Sequence, residues 1–519
     1  MKFKDLKFPF LDAEQYLNNE INKVFCKGEE YEKIMMPQTY FIIGPKGSGK
    51  TMYANYFCNN IIQNSSDNNE KIKSKIFRIE SDIYKKIISL NQNGVAEFSF
   101  KKLWQIHIIR ELCNELINKE DLKHKSHKTL ETLQKECDLD FEIPNSYSED
   151  NSKNSGIIGN VNSSNSKVSA SSEKSTNKKV EGVIIDEGIN KEYKKFVNDL
   201  SDLKCNKYLY LFIDGIDSYT IPETLDRKFY MDCINDLATS VLELNRELNR
   251  KGNRKIKIIL LCRDDIYEEV DICNNKSTLS DNIVDLNYSY TNLNTPKSTK
   301  IYKFANSLFK KISNDENDWN SYFGNFKITR FKNSEPYDII SYMIRLTTGK
   351  PREFVKIFEL LQECCKSSDK NNPTSDMFSD TSFEQDYSNF YLQSVQDQMK
   401  FFVPEIIVKA IFSTLTDANL NLTFYFSEFE HIFKKIKEGS EFYNYFKDRK
   451  DILMLLYRCN CICINIKNEN ERDGFEHWWF FRKENGGIKF DKNRIDNDTT
   501  FTFHWGLEKK LCKKGISAA

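Results

Sequence analysis

No stretch of the 519-residue sequence approaches the roughly 20 consecutive apolar residues that a membrane-crossing helix needs. An excess of one charge is missing as well. The 76 Lys and Arg balance the 76 Asp and Glu, so the chain as a whole is no electrostatic magnet for nucleic acid or anionic membrane. Paired C-x-x-C spacing is also missing. The 14 cysteines are scattered, as reduced thiols of a cytosolic protein are, and form no disulfide framework. The start, MKFKDLKFPFLDAEQYL, acquires acids and polar groups too early for a secretory signal. A soluble, cytoplasmic chain is therefore expected. His124 and His127 lie in a Lys-rich stretch and read as a solvated helix face. CNCICINI puts Cys459, Cys461 and Cys463 on one face of an expected strand, because side chains alternate along strands. With no second ligand pair beside them, they read as small core residues and not as a metal site.

Aromatics are abundant, with 38 Phe and 25 Tyr, and the length exceeds what one hydrophobic core serves, so two or three domains are expected. Residues 145–179 are dominated by Ser, Asn and Lys. So few apolar groups do not offset the entropy of ordering, and the segment reads as a disordered insertion. A weaker breaker cluster at 367–382 reads as a linker. Apolar runs at 40–43, 76–79, 208–213, 256–262 and 283–288 read as strands, with helical patterns at 100–117 and 229–248. Continuous apolar strands alternating with helices predict an α/β fold, a parallel sheet sandwiched by helices.

The sharpest signal is FIIGPKGSGKT, which follows a strand and opens a helix. Gly44, Pro45, Lys46 and Gly47 make the turn. Ser48, Gly49, Lys50, Thr51 and Met52 lead into the helix. Glycines let backbone N–H groups turn inward around phosphates, and the helix aims its positive end at them. Lys50 reaches the β- and γ-phosphates, and the Thr51 hydroxyl ligates Mg²⁺. Asp214, ending the apolar run YLYLFI, fits the second, metal-organising acid. Asp217 is a candidate to orient the attacking water, or else a turn residue in the GIDS bend. Glu80, ending IFRI, is a further candidate base on the condition that its strand neighbours the phosphate-loop strand. Arg263 would stand at the carboxyl edge of the sheet, where ligands of open α/β sheets bind. Arg352, opening a helix after TTGKP, is a candidate to swing over the nucleotide and report its γ-phosphate.

In this order GPKGSGKT, LFIDGID, LLCRDD and GKPRE resemble P-loop ATPases of the additional-strand type. They are most similar to the STAND and AAA+-like groups that include KAP-like and origin-recognition ATPases, and to a mostly bacterial family of uncharacterised P-loop ATPases. The resemblance implies ATP and Mg²⁺ as ligands, Thr51 and Asp214 as metal ligands, and Arg263 and Arg352 as sensors. It departs at Gly215, where the AAA+ pattern has glutamate and a STAND-like variant has DGxD.

The expected organisation is an N-terminal helical segment (1–36), an ATPase core (37–295), a helical lid (296–366) and a C-terminal region from 383 to 519. Three helices followed by a small sheet suggest a winged-helix-like domain there. Three functions follow. The first is a slow nucleotide-dependent switch in signalling or defence, acting through a protein partner or self-association. The second is a DNA-binding initiator-like ATPase, for which the near-neutral C-terminal region offers a poor electrostatic footprint. The third is a scaffold that holds ATP without hydrolysing it.

Overall fold

The fully buried runs become the middle of one sheet. Strands β1 (Phe41–Ile43), β2 (Ile62–Gln63), β3 (Lys71–Arg78), β4 (Tyr208–Asp214), β5 (Ile256–Cys262) and β6 (Ile283–Asp285) lie in the order β2-β3-β4-β5-β1-β6. Five are parallel, and only the short β2 pairs antiparallel, with β3. The computed structural model describes residues 1–16, 18–59, 62–63, 71–79, 100–137, 193–216, 227–270, 276–288, 295–330, 335–434, 445–468, 475–482 and 492–512. The Ser/Asn-rich stretch 145–179, Glu80 and Asp217 fall outside them.

Alternation along the strands builds two layers. Leu209, Leu211 and Ile213 of β4 pack with the helices Phe100–Glu111 and Arg227–Arg250, while Tyr210 and Phe212 pack with the helices Glu30–Met35 and Lys50–Asn59. β5 lies between β1 and β4, so the phosphate-loop strand and the Asp214 strand are not neighbours. β3 stands two strands further from β1 than Glu80 would need, which removes the condition on which Glu80 was a candidate.

The first 36 residues contain less helix than expected. They form the 3-10 turns Phe3–Asp5, Ala13–Gln15 and Asn18–Lys23, and one short helix, Glu30–Met35. Lys257 of β5 ties that helix to the sheet. Its buried ammonium donates to the carbonyls of Ile34 (2.7 Å) and Met36 (3.1 Å) and lies 3.9 Å from the Tyr210 ring centre. Burial holds its pKa well below the usual lysine range.

After the sheet come the helices Lys300–Ile312, Ile339–Leu346 and Pro351–Ser367, with the small ribbon of β7 (Lys327–Ile328) and β8 (Tyr337–Asp338). The breaker cluster is folded. Met377 and Phe378 of its 3-10 turn Ser375–Ser379 are buried in the same apolar cluster as Phe358 of the preceding helix and Phe501 near the C-terminus. The helix Thr381–Met399 follows directly.

The remaining order is helix Glu405–Ala418, β9 (Thr423–Tyr425), helices Phe426–Phe433 and Arg449–Arg458, β10 (Ile462–Lys467), β11 (Phe475–Trp478) and β12 (Thr500–Phe503). These strands form an antiparallel sheet in the order β11-β10-β12-β9. β10 starts only at Ile462, so Cys463 alone of the three cysteines lies in the strand, although all three are buried. Among the described residues no group of His, Cys, Asp and Glu has the arrangement of a metal site. Nor is any described helix long and apolar enough to cross a membrane.

Candidate functional site

The loop between β1 and the helix Lys50–Asn59 depends on glycine where its backbone turns in. Gly47 and Gly49 have φ of 89° and 97°, a region that side chains with a Cβ avoid. A Cβ on Gly47 would also stand 3.2 Å from the Cβ of Arg352, so the helix Pro351–Ser367 rests on the loop. Gly47→Ala is expected to lower stability by about 1–2 kcal/mol from the backbone alone. An unchanged urea midpoint would show that the loop is not held in this shape.

The polar groups of the loop converge. The Lys50 ammonium donates to the carbonyls of Gly44 (2.7 Å) and Pro45 (3.0 Å). The Thr51 hydroxyl donates to Asp214 Oδ2 at 2.7 Å, across two sheet positions, and the Gly215 N–H donates to Asp214 Oδ1 at 2.8 Å. Ser48 is buried, and its Oγ has no hydrogen-bond partner among the described residues.

A cleft of about 670 Å³ opens over this loop. Lys46 to Met52, Asp214 and Arg352 all line it, so the sequence-predicted loop, acid and lid arginine are brought together. Arg352 opens its helix just after Pro351, whose fixed φ suits a first helical position. The Arg352 N–H donates to Gly47 O at 3.4 Å, and its Nε donates to Leu11 O at 2.9 Å.

Arg263 is not among the residues that line the cleft. It is buried; its Nε donates to Asp265 Oδ1 at 2.9 Å, a second guanidinium nitrogen bonds Asp265 Oδ2, and the Phe401 ring lies 5.2 Å away. The physical reason is local. A guanidinium buried without a carboxylate costs several kcal/mol, and the nearest acid is two residues along the chain. The backbone of its neighbour does reach the loop, through Asp264 N–H to Gly44 O at 3.3 Å.

Three features of the site carried no sequence signal. A strap, residues 9–14, which runs into the 3-10 turn Ala13–Gln15, forms one wall of the cleft, with Ala13 O accepting from Asn55 Nδ2 at 2.7 Å. Arg78 lines the cleft beside it and pairs with Glu14 at 2.7 Å. Lys46 lies 3.9 Å from Asp397 on the helix Thr381–Met399, which brings the C-terminal region to the loop itself. The first and third depend on contacts between residues far apart in sequence. Arg78 becomes visible only once β3 is known to pair with β4.

Inward-turned glycines, an unpartnered buried hydroxyl and a lysine resting on carbonyls that anionic oxygens replace all fit a chain of phosphates. The Thr51 hydroxyl and Asp214 carboxylate are oxygen donors of the type Mg²⁺ takes. Residues 10–260, just under half of the chain, match the protein-family model described as ORC-CDC6-like. That part is therefore similar to origin-recognition and AAA+-type ATPases. The match includes most of the strap, the loop and Asp214, and ends within β5, before Arg263 and Arg352. None of the curated proteins matches the chain.

Proposed function

We propose that the chain is a slow, ATP-dependent conformational switch. The observation that carries this reading is the meeting of the phosphate loop, the metal-organising acid and the helix Thr381–Met399 in one place. Lys46 pairs with Asp397, and Gln398 Nε2 donates to Asp265 Oδ2 at 3.4 Å. In this reading Lys50, Ser48 and the loop N–H groups hold the phosphates, and Thr51 and Asp214 hold Mg²⁺. The metal, when bound, neutralises charge developing between the β- and γ-phosphates. Arg352 closes the lid, and helix Thr381–Met399 passes the state of the loop to the C-terminal module. The boundaries of that organisation are a core over 37–295, a lid over 296–366 and a module from 383 onward.

Slow turnover is inferred from Gly215. The position after Asp214 carries no carboxylate, and its N–H is spent on Asp214 itself. The order helix–β9–helix–helix–β10–β11–β12 supports a winged-helix-like reading of the module. The initiator reading has less support, because the helix Arg449–Arg458 offers little to a duplex. Arg449 pairs with Glu430 (3.5 Å), and Lys450 donates to the carbonyls of Lys492 (3.2 Å) and Ile495 (2.9 Å). Asp451 pairs with Lys492, and Arg458 with Glu269 at 3.0 Å.

The test compares the purified full chain with Asp214→Asn. The variant is expected to bind ATP but to lose Mg²⁺-dependent tightening, and its turnover should fall by about 100-fold or more. Steady wild-type turnover of many ATP per second without a partner would overturn the switch. Indifference to Asp214→Asn would overturn the site.

A further inference from the structure

We propose that Arg78 is a phosphate-binding residue of the cleft, held in reserve by Glu14 of the strap; this rests on the nucleotide reading above. β3 and β4 pair in parallel with Arg78 opposite Asp214. Both residues lie on the face that carries helix Lys50–Asn59. Ile72 and Ile76 precede Arg78 on that face, and Tyr210 and Phe212 precede Asp214. The backbone from which the Arg78 side chain springs is therefore one strand spacing, about 4.8 Å, from that of Asp214, whose carboxylate Thr51 touches. A terminal phosphate held by Lys50 and by a metal on Thr51 and Asp214 lies within the span of an arginine side chain from there.

The strap supplies substitute oxygens. At one end Leu11 O accepts from Arg352, and at the other the Glu14 carboxylate takes Arg78. Between them Ala13 O accepts from Asn55. One short segment thus occupies both arginines that line the cleft. The Glu14–Arg78 pair is half exposed, with side-chain exposures of 48% and 43%, and such a pair is held weakly. A γ-phosphate offers the planar guanidinium more charge and a bidentate geometry, so it displaces Glu14. ADP has no γ-phosphate and leaves the pair in place. Arg78 therefore discriminates triphosphate from diphosphate, and Glu14 sets the threshold at which the strap lets go.

The experiment titrates Mg-ATP and Mg-ADP by calorimetry onto the full chain as wild type, Glu14→Gln, Arg78→Gln and the double variant, with Arg78→Lys as the conservative control. Arg78→Gln is expected to weaken ATP by about tenfold and leave ADP unchanged. Glu14→Gln is expected to tighten ATP and leave ADP unchanged. The double variant should match Arg78→Gln, and Arg78→Lys should recover part of the loss. If Arg78 only anchors the strap, both single variants shift ATP and ADP together and in the same direction, which overturns the proposal. An unchanged ATP-to-ADP ratio in Arg78→Gln overturns it too. Wild-type binding that Lys50→Ala abolishes upholds the nucleotide reading separately, so those two results remove this inference alone. A wild-type chain that binds neither nucleotide removes both.

Discussion

Lys50→Ala is expected to weaken Mg-ATP binding by at least about 100-fold while the chain stays folded. In the structure the ammonium donates to two carbonyls of its own loop, those of Gly44 and Pro45. Phosphate oxygens take over those bonds in the bound state. Charge-assisted hydrogen bonds contribute about 1.5–3 kcal/mol each, so losing two corresponds to a factor of about 10² to 10⁴ in affinity. The cost to the fold is small, because both carbonyls keep a backbone donor, Asp264 N–H on Gly44 O at 3.3 Å and Ser48 N–H on Pro45 O at 3.1 Å. Two measurements on the same samples check this. At a ligand concentration of 100 times the dissociation constant the wild type should gain about 2.7 kcal/mol of stability from Mg-ATP. The variant should gain almost none, and its nucleotide-free midpoint should be close to wild type. A variant that is badly destabilised without nucleotide would instead support the scaffold, in which the ligand serves the fold.

The parts of the site visible in the sequence are those set by neighbours in the chain. The phosphate loop is one continuous stretch, and its glycines occupy the positions where backbone geometry demands them. β1, β4 and β5 are visible in the sequence because both of their faces are buried, which leaves apolar runs that only Lys257 of β5 interrupts. β9 was not, because three residues of alternating exposure are too few to separate from a loop. Arg263 was placed at the correct edge of the sheet, but sequence position does not fix a side chain's direction, and Asp265 draws it away from the cleft. The strap falls within the expected N-terminal helical segment (1–36), yet distant partners set its course. Leu11 O accepts from Arg352, 341 residues away, and Ala13 O accepts from Asn55.

The buried Arg263–Asp265 pair sits where the six-stranded sheet region meets the C-terminal region. Asp265 accepts from Arg263 and Gln398, and Glu269, one helical turn on, takes Arg227 and Arg458. Phe401 is buried beneath, with the Tyr230 ring 5.9 Å away. Asp265→Ala is therefore expected to destabilise the chain by about 3–5 kcal/mol, because it takes away the carboxylate that two nitrogens of the buried Arg263 guanidinium bond. Burial alone would raise the Asp265 pKa, but the Arg263 charge and the hydrogen bonds to Arg263, the Ile266 N–H and Gln398 outweigh it and lower it. A carboxylate with a lowered folded pKa stabilises fully above its unfolded pKa of about 3.9, and that contribution fades as pH falls through the folded value. The gap between wild type and variant should therefore be constant from pH 7 to about pH 5 and narrow in stronger acid. Urea unfolding across that range measures it. Replacing both partners, as Arg263→Met with Asp265→Leu, should restore much of the lost stability, since an apolar pair needs no charge partner. If the pair also couples core to module, the double variant should be stable yet show the same C-terminal proteolysis pattern with ATP as with ADP. A double variant whose pattern still changes with nucleotide would place the coupling elsewhere, with Lys46 and Asp397 the next contact to test.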